Sequence, residues 1–204
     1  MPAPRLFAAL ILATGLATAC CSEHHDHGTA VPVAEGGVVS VPPFDSVELR
    51  GGGHVTLRYG DTQRVTLVRG SAQVTRFAIE DGRKLSIDAC EDNCPSDYDL
   101  EVEIVTPRIT GAAVTGGGKI VGESGFPAQG QIVAAVDGGG NVDLHAIDTE
   151  TAQAAVSGGG HILVHADREL TAAVNGGGSI RYTGKAAVTS AINGGGSIEP
   201  EDSN

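Results

Sequence analysis

The 204-residue sequence contains no tryptophan, one methionine and few aromatic residues, four Phe and three Tyr. Its interior must therefore be built from Val, Ile, Leu and Ala, whose small side chains allow close backbone approach. Basic residues are also scarce, 13 against 25 acidic ones. The formal net charge of -12 excludes nucleic acids as partners, because their phosphates would be repelled. No apolar run in the sequence reaches the roughly 20 residues that a membrane-spanning helix needs.

Residues 1–19 have the layout of a secretory signal peptide, with one cation, an apolar stretch and the small residues Ala17-Thr18-Ala19. The segment ending at Cys20 resembles a bacterial lipobox. This predicts that Cys20 carries a lipid and holds the protein in the cell envelope, with the outer membrane as the favoured location. The alternative is ordinary cleavage after Ala19, which would release a soluble periplasmic or secreted protein. We favour the lipid anchor, because a Cys directly after this leader has little other reason to be there.

Residues 20–40 are rich in His, Gly, Ala, Val and Pro without hydrophobic periodicity. This composition predicts a flexible tether between the anchor and a folded domain at residues 41–199. His24, His25 and His27 lie close together in the tether. They could chelate a metal ion loosely, and the alternative is that they are simply solvated.

Cys90 and Cys94 are separated by three residues. They lie beyond an export signal, and disulfides persist in exported proteins, so we predict a local disulfide between them. A zinc site is the alternative. It would need two more good ligands, and the acidic loop around the pair offers only carboxylates.

Residues 41–110 alternate apolar and polar side chains with a period of two, which is the pattern of half-buried strands. The segments Phe77–Glu80 and Lys84–Asp88 both show this alternation. Between them lies Asp81-Gly82, a dipeptide typical of tight β-turns. We therefore predict a β-hairpin with Asp81-Gly82 at its turn.

From residue 111 onward the sequence repeats around a Gly-Gly-Gly triplet, at intervals of 22, 20, 18 and 18 residues. The triplets begin at Gly116, Gly138, Gly158, Gly176 and Gly194. An isolated earlier copy begins at Gly51. A period near 20 with strand-type alternation and no helical stripe is typical of an all-β solenoid, in which successive coils stack. Equivalent residues of the coils should then be neighbours in space.

β-branched residues lie two positions before and two positions after each triplet, and alternation places them on one face, the stacked interior. They are the pairs Val114/Ile120, Val136/Val142, Val156/Ile162, Val174/Ile180 and Ile192/Ile198. A column of glycines lets the backbone turn a corner with positive φ and lets coils approach without a Cβ clash. A phosphate-binding loop is excluded, because no triplet opens a helix and no Lys-Ser or Lys-Thr follows.

Several of these segments together resemble one known family. Val41–Leu49 is followed by Gly51-Gly52-Gly53-His54-Val55, and Val105-Thr106-Pro107 leads into repeated Gly-Gly-Gly-x-Ile units. Over residues 41–199 the sequence resembles the bacterial exported family called putative auto-transporter adhesin, head GIN domain. The resemblance implies a right-handed parallel β-helix-like solenoid with N-terminal strands and a hairpin packed on or continuing the stack. It also implies a lipoprotein or secreted chain without established enzymatic activity.

One outward column of the predicted stack is polar. It consists of the residue before each triplet, namely Thr115, Asp137, Ser157, Asn175 and Asn193. Stacked coils bring such residues roughly 4.8 Å apart, so the side chains of this polar ladder could bond from coil to coil. The alternative role is contact with a carbohydrate or an ion.

A second outward face carries histidines. We expect His145 to lie over His165 and Asn141 to lie over His161, with Asp143 beside His145. Two imidazoles and a carboxylate could hold a divalent metal ion at this face. The alternative is that exposed histidines fall in adjacent coils by chance.

The leading hypothesis is a non-enzymatic cell-envelope lipoprotein whose solenoid is a binding, adhesion or structural module for a glycan or protein. The first rival is a polysaccharide-active enzyme on the same scaffold, with a carboxylate pair such as Asp137 and Asp143. This rival predicts an outward groove in which Asp or Glu side chains cluster beside a basic residue such as Lys119 or Arg181. The second rival is a periplasmic metal-binding protein that uses the histidines. No cofactor is predicted.

The final strand of a stack would recruit another chain edge to edge unless something stops it. Glu199-Pro200-Glu201-Asp202 supplies negative charge and a residue without an N–H at that point, and residues 200–204 form an acidic tail. We therefore predict a monomer or a weak oligomer.

Overall fold

The computed structural model describes residues 29–30, 37–90, 94 and 98–201, which form 18 strands and no α-helix. The described residues thus include no helix able to cross a membrane. The strands are β1 Thr29–Ala30, β2 Val38–Val39, β3 Ser46–Gly51, β4 His54–Tyr59, β5 Arg64–Arg69, β6 Arg76–Glu80, β7 Lys84–Asp88, β8 Glu101–Thr106, β9 Gly111–Gly116, β10 Lys119–Gly122, β11 Gln129–Gly138, β12 Asn141–Asp143, β13 Thr149–Gly158, β14 His161–His165, β15 Glu169–Gly176, β16 Ser179–Thr183, β17 Ala187–Gly194 and β18 Ser197–Pro200.

The strands form two nine-stranded sheets. Sheet I has the order β1-β6-β7-β3-β9-β11-β13-β15-β17, and sheet II has the order β18-β16-β14-β12-β10-β4-β8-β5-β2. From β9 onward, successive strands alternate between the two sheets, and each strand pairs in parallel with its equivalent in the next repeat. The prediction of an all-β fold is confirmed, with two large and mostly parallel sheets.

The register aligns equivalent residues of the repeats. On β11, for example, Val136 pairs with Val114 of the preceding repeat and Val156 of the following one. Because parallel pairing without a shift keeps matching side chains on the same face, the spacing of the glycine triplets fixes which residues meet. Intervals of 22, 20 and 18 residues are all accommodated, since the extra residues fall between the paired segments.

The isolated triplet at Gly51 belongs to the same stack. β3 pairs in parallel with β9, so that Gly51 aligns with Gly116, and β4 pairs in parallel with β10. Beyond them, β7 and β6 extend sheet I while β8 and β5 extend sheet II. The N-terminal strands and hairpin therefore continue the stack.

The hairpin of β6 and β7 forms as the sequence predicts. The two strands pair antiparallel, with Glu80 opposite Lys84 at the turn. Asp81 has a φ of 50° and Gly82 has a φ of 71°. Two consecutive residues with positive φ suit the right-handed twist of the flanking strands, and Asp-Gly adopts that conformation at little cost.

Two short strands lie within the segment for which the sequence predicts a tether. β1 pairs antiparallel with β6, and β2 pairs antiparallel with β5, so they cover the N-terminal ends of sheet I and sheet II. Val39 is buried in the core. The segment predicted as a tether, residues 20–40, thus contains two short strands, and Val39 is buried because it covers an open sheet edge.

The core lies between the inner faces of the two sheets. It is built almost wholly from Val, Ile, Leu and Ala, as the scarcity of aromatics predicts. In sheet II, residues Val55, Ile120, Val142, Ile162 and Ile180 form one continuous buried column, each at most 2% exposed. Burying such a side chain contributes about 1.5 to 3 kcal/mol, so the column is a main source of stability along the stack.

Candidate functional site

The outward face of sheet I carries the polar ladder in the predicted alignment. Thr115, Asp137, Ser157, Asn175 and Asn193 are consecutive register partners, and all five are exposed. Among the described residues, no hydrogen bond joins two ladder members, and the Thr115 hydroxyl instead donates to Glu48 at 3.4 Å. The ladder is aligned but open to solvent. Four of its members, from Thr115 to Asn175, line a shallow open depression of about 420 Å³ together with Glu48 and Lys84.

The outward face of sheet II forms a shallow groove of about 290 Å³, called here the sheet II groove. It is lined mainly by Asn141, Asp143, His161, Leu163, Ser179, Arg181 and Glu201. Parallel pairing creates this set. It aligns Asn141, His161 and Ser179 in one column, and the column beside it holds the side chains two residues further along each strand.

The groove presents hydrogen-bonding groups of both kinds. His161 Nδ1 lies 2.8 Å from the hydroxyl oxygen of Ser179 in the next repeat. Arg181 donates from Nη1 to Glu201 Oε2 at 3.1 Å. Asn141 adds an amide with a donor and an acceptor. The Arg181–Glu201 pair is largely solvated, so its role is to orient the two side chains rather than to stabilise the fold.

The predicted metal ligands of this face, His145, His161, His165 and Asp143, are not placed as one group. Among the described residues, no group of three or more His, Cys, Asp or Glu side chains is placed to hold a metal ion. His145 Nδ1 lies 2.5 Å from Asp143, whereas His165 bonds Thr183 at 2.9 Å. His161 does align with Asn141 as expected, but His145 lies in the turn after β12 and has no register partner. The varying repeat length breaks the column there.

The predicted disulfide lies within the described residues, whereas the predicted lipid anchor and chelating histidines do not. Cys90 and Cys94 form a disulfide with an S–S distance of 2.04 Å. Cys20, His24, His25 and His27 lie outside the described residues. The lipid anchor and the chelating tract therefore stay predictions.

The structure does not bring together the two carboxylates of the enzyme hypothesis. Asp137 points outward from sheet I and Asp143 outward from sheet II, so the two residues lie on opposite faces of the stack. Arg181 does lie beside an acid, Glu201, in the sheet II groove. Sequence reasoning missed the place of Glu201 because it treated that residue as tail. The 18-residue repeat could have predicted this position, because it aligns β18 with β16. The alignment continues to Glu201, whose backbone N–H donates to Tyr182 O at 2.8 Å.

A dense ion-pair network covers the outer face of sheet I at its N-terminal end. Arg50 on β3 donates to Glu48 and, across β7, to Glu80 on β6, where both hydrogen bonds measure 2.8 Å. Lys84 also pairs with Glu48 at 2.8 Å and with Glu80 at 3.2 Å. The network ties three neighbouring strands together. It leaves no free cation that could receive a ligand among these four residues.

The network shifts the pKa values of its carboxyls. Burial raises the pKa of Glu48, but hydrogen bonds from Arg50 and Lys84 outweigh burial, so the net pKa is lowered. The hydrogen bond from Arg50 lowers the pKa of Glu80 against a smaller effect of burial. Both carboxylates are thereby held ionised. The cluster is suited to holding strands together and not to donating protons.

Asp45 is the centre of a second charged cluster. Its carboxylate accepts hydrogen bonds from Arg83 at 2.8 Å and from Arg108 at 2.7 Å. The hydrogen bond from Arg83 is the largest cause of a lowered Asp45 pKa. The backbone oxygen of Asp45 also accepts from Thr110 N and Thr110 Oγ1. These contacts fix the residue before β3 against the residue before β9.

A family model matches the central repeats, which carry most of the groove. Residues 128–186 match the family model described as putative auto-transporter adhesin, head GIN domain. The resemblance inferred from the sequence is confirmed over this segment. The matched segment runs from just before β11 to just after β16 and includes Asn141, His161 and Ser179 of the groove.

Several solved structures are also similar to this chain. A putative adhesin from Bacteroides fragilis has 16% identity and a TM-score of 0.45, over 80% of this chain and 95% of that one. A putative adhesin from Parabacteroides distasonis has 18% identity and a TM-score of 0.40, over 80% and 95%. A putative lipid binding protein from Parabacteroides distasonis has 14% identity and a TM-score of 0.32, over 81% and 95%. No curated protein matches the chain.

Proposed function

We propose that the protein is a non-enzymatic binding module of the bacterial cell envelope, held there by a lipid on Cys20. In this proposal the two sheets are the faces of a right-handed parallel β-helix-like solenoid, and the sheet II groove binds a glycan on a neighbouring surface. The head GIN match over residues 128–186 supports an exported adhesin-like role. The secretory leader and lipobox-like segment before Cys20 support the anchor.

The set of polar groups in the groove carries the glycan proposal. His161, Ser179 and Arg181 supply donors, and Asn141 and Glu201 supply acceptors, around a concave surface formed by two adjacent columns. Sites for small polar ligands generally use a few such convergent groups. The groove also carries two acids, and the whole chain has a net charge of -12, so a neutral glycan fits better than an acidic one.

Glycan binding is tested with the exported protein and a panel of neutral and acidic polysaccharides. We expect binding to a neutral glycan, and a loss of at least about tenfold in affinity for His161→Ala and Arg181→Ala, a change of 1.4 kcal/mol or more. Asn175→Ala is the matched control, because it removes an exposed polar side chain from the opposite face. Equal losses in all three variants, or no binding to any glycan, would contradict the proposal.

The anchor is tested separately by mass spectrometry of the mature N-terminus purified from native membranes. We expect a diacylated or triacylated Cys20, and release of the protein from the membrane for Cys20→Ala. An unmodified N-terminus in the soluble fraction would instead show ordinary cleavage. That outcome would leave the groove proposal standing, because the groove lies in the folded part.

A polysaccharide-active enzyme is the second candidate, favoured by the Arg181–Glu201 pair in the groove. Glycoside hydrolysis needs one carboxyl that is protonated and one that is ionised. Arg181 Nη1 lies 3.1 Å from Glu201, and Asp143 is the second carboxylate that lines the same groove. Release of reducing sugar by the wild type but not by Glu201→Gln would establish this function in place of simple binding.

A further inference from the structure

The C-terminal ends of both sheets are open. β17 is the last strand of sheet I and β18 is the last strand of sheet II, and no described residue pairs with their outer edges. At the opposite end, β1 and β2 cover the two edges by antiparallel pairing. Among the described strands, the stack is therefore covered at its N-terminal end and uncovered at its C-terminal end.

The open end exposes residues that belong to the core by position. Val188 and Ile192 of β17 are 37% and 48% exposed. Their register partners on β15, Leu170 and Val174, are 0% and 2% exposed. β17 thus directs the same inner face toward sheet II, but nothing among the described residues covers it from the end. Exposed apolar side chains of this kind mark an interaction surface.

The two open edges differ in their protection against strand addition. β18 has four residues and includes Glu199 and Pro200, and charge and Pro are features that discourage pairing. β17 has eight residues with neither a charge nor a Pro. The sequence-based expectation of a monomer or weak oligomer took the acidic tail as a stop for the whole stack. Of those features, the structure describes Glu199, Pro200 and Glu201, and all three lie on or directly after β18 of sheet II.

We propose that β17 pairs antiparallel with β17 of a second copy of this chain, extending sheet I across a two-fold axis. A second copy is favoured because the strand is complementary to itself. An axis through Ser190 sets Val188 of one chain against Ile192 of the other, and Ser190 against Ser190. Because this axis is perpendicular to the sheet, the inner faces of both copies lie on the same side of the extended sheet. Val188 and Ile192 of each copy are then covered by the other copy.

Charge also favours a second copy over an unrelated partner. The chain is strongly acidic, yet β17 is uncharged over its whole length, so two copies can pair there without placing like charges in contact. Two strands of equal length also satisfy each other's free backbone N–H and C=O groups. Ser190 stands where β15 has Ala172, and paired serine hydroxyls can bond across the two strands.

The dimer is tested by sedimentation equilibrium over a range of protein concentrations. The full chain carries Cys20→Ala and Cys21→Ala, so that neither a lipid nor an N-terminal thiol contributes. We expect a dimer for this protein, a monomer for Ile192→Lys, and a dimer for the control Val68→Lys, which changes an equally exposed valine on β5. A monomer at every concentration, or a dimer that persists in Ile192→Lys, would overturn the proposal.

A second variant tests the register without relying on a disruptive change. In the same background, Ser190→Cys should form a reducible covalent dimer under mild oxidation, because the axis places the two cysteines directly opposite. Ser157→Cys is the matched control, since it exposes a cysteine in the middle of sheet I. Cross-linking that is as fast for Ser157→Cys, or absent for Ser190→Cys, would exclude the two-fold pairing.

Discussion

The three glycines of each triplet differ in what surrounds them. A Cβ on Gly138 would lie 2.8 Å from the carbonyl oxygen of Gly116, and Gly138 has a φ of 116°, which L side chains rarely adopt. A Cβ on Gly140 would collide with Val114 Cγ1 and with the Gly118 carbonyl oxygen. A Cβ on Gly139 would meet nothing within 4 Å. Close coil approach therefore requires the first and third glycines, and the middle one is free to vary.

This difference predicts an ordered substitution series within one triplet. We expect Gly139→Ala to change the free energy of unfolding by less than about 0.5 kcal/mol. Gly138→Ala and Gly140→Ala should each cost about 2 kcal/mol or more, because one strains φ and both force backbones apart. Urea denaturation at neutral pH measures all three. Similar losses for the three variants would show that the coils do not approach as closely as described.

The N-terminal strands of sheet I are held by charge as well as by core packing. Arg50 bridges β3 to β6 over β7. Its guanidinium contacts Glu48 on its own strand and Glu80 on β6. Its partners Glu48 and Glu80 are mostly buried. Removing the Arg50 cation would leave two carboxylates close together with only Lys84 to compensate them, which is more costly than losing an exposed ion pair.

The lowered pKa values of Glu48 and Glu80 predict how stability depends on pH. Their contribution is present above the ordinary pKa of 4.5 and is lost as the pH falls through the lower folded-state values. Arg50→Gln should therefore cost about 1 to 3 kcal/mol at neutral pH, and this difference from wild type should shrink below about pH 4. Denaturation curves at several pH values measure it.

The control for the pH prediction is Arg58→Gln. Arg58 is half exposed and pairs with Glu103 and Glu123 at the surface. We expect a cost below about 1 kcal/mol, with little change between neutral and acidic pH. A pH dependence as large as that of Arg50→Gln would mean that the network on sheet I has no special role.

The connection from β7 to β8 carries the Cys90–Cys94 disulfide, which closes a loop with a sequence separation of 4. Closing so short a loop removes little entropy from the unfolded chain. We expect the Cys90→Ala, Cys94→Ala double variant to lose at most about 2 kcal/mol. Thermal unfolding with and without a reducing agent provides the measurement. Complete failure to fold without the disulfide would contradict this small, local contribution to stability.

Across the stack, each repeat packs mainly on its two neighbours through the paired strands. The apolar column of sheet II is complete in the middle, where Ile162 is 2% exposed, and incomplete at the C-terminal end, where Ile198 is only partly buried. In such an arrangement, stability is roughly a sum of repeat and interface contributions. The same substitution should therefore have unequal effects along the column.

A matched pair of substitutions tests this. Ile162→Ala should cost about 2 to 5 kcal/mol, because it removes buried methylene groups and leaves a cavity between packed repeats. Ile198→Ala should cost less than half as much, since no described strand covers its side chain on one side. Both values come from equilibrium denaturation at low protein concentration. Equal costs would indicate that the C-terminal repeat is covered as completely as the central ones.

Much of the architecture could be predicted from periodicity. The alternation of apolar residues and the recurring triplets predicted strands, a stacked interior and the column from Thr115 to Asn193, because local pattern and repeat spacing act together in every coil. The Asp81-Gly82 hairpin was predicted for a local reason as well. The sequence did not show that the triplet at Gly51 joins the stack, since it begins 65 positions before Gly116.

Composition and repeat spacing by themselves determined that this is an acidic, all-β protein with a small-residue interior, and the leader before Cys20 stays a prediction. Only the pairing in three dimensions decided which side chains share a face. It separated His145 from His165, united His161 with Ser179 and Arg181 in the sheet II groove, and left Val188 and Ile192 uncovered. The physical reason is that the triplets fix the register only of the strands beside them. Where the repeat length varies, as in the turn after β12, the fold decides which side chains face each other.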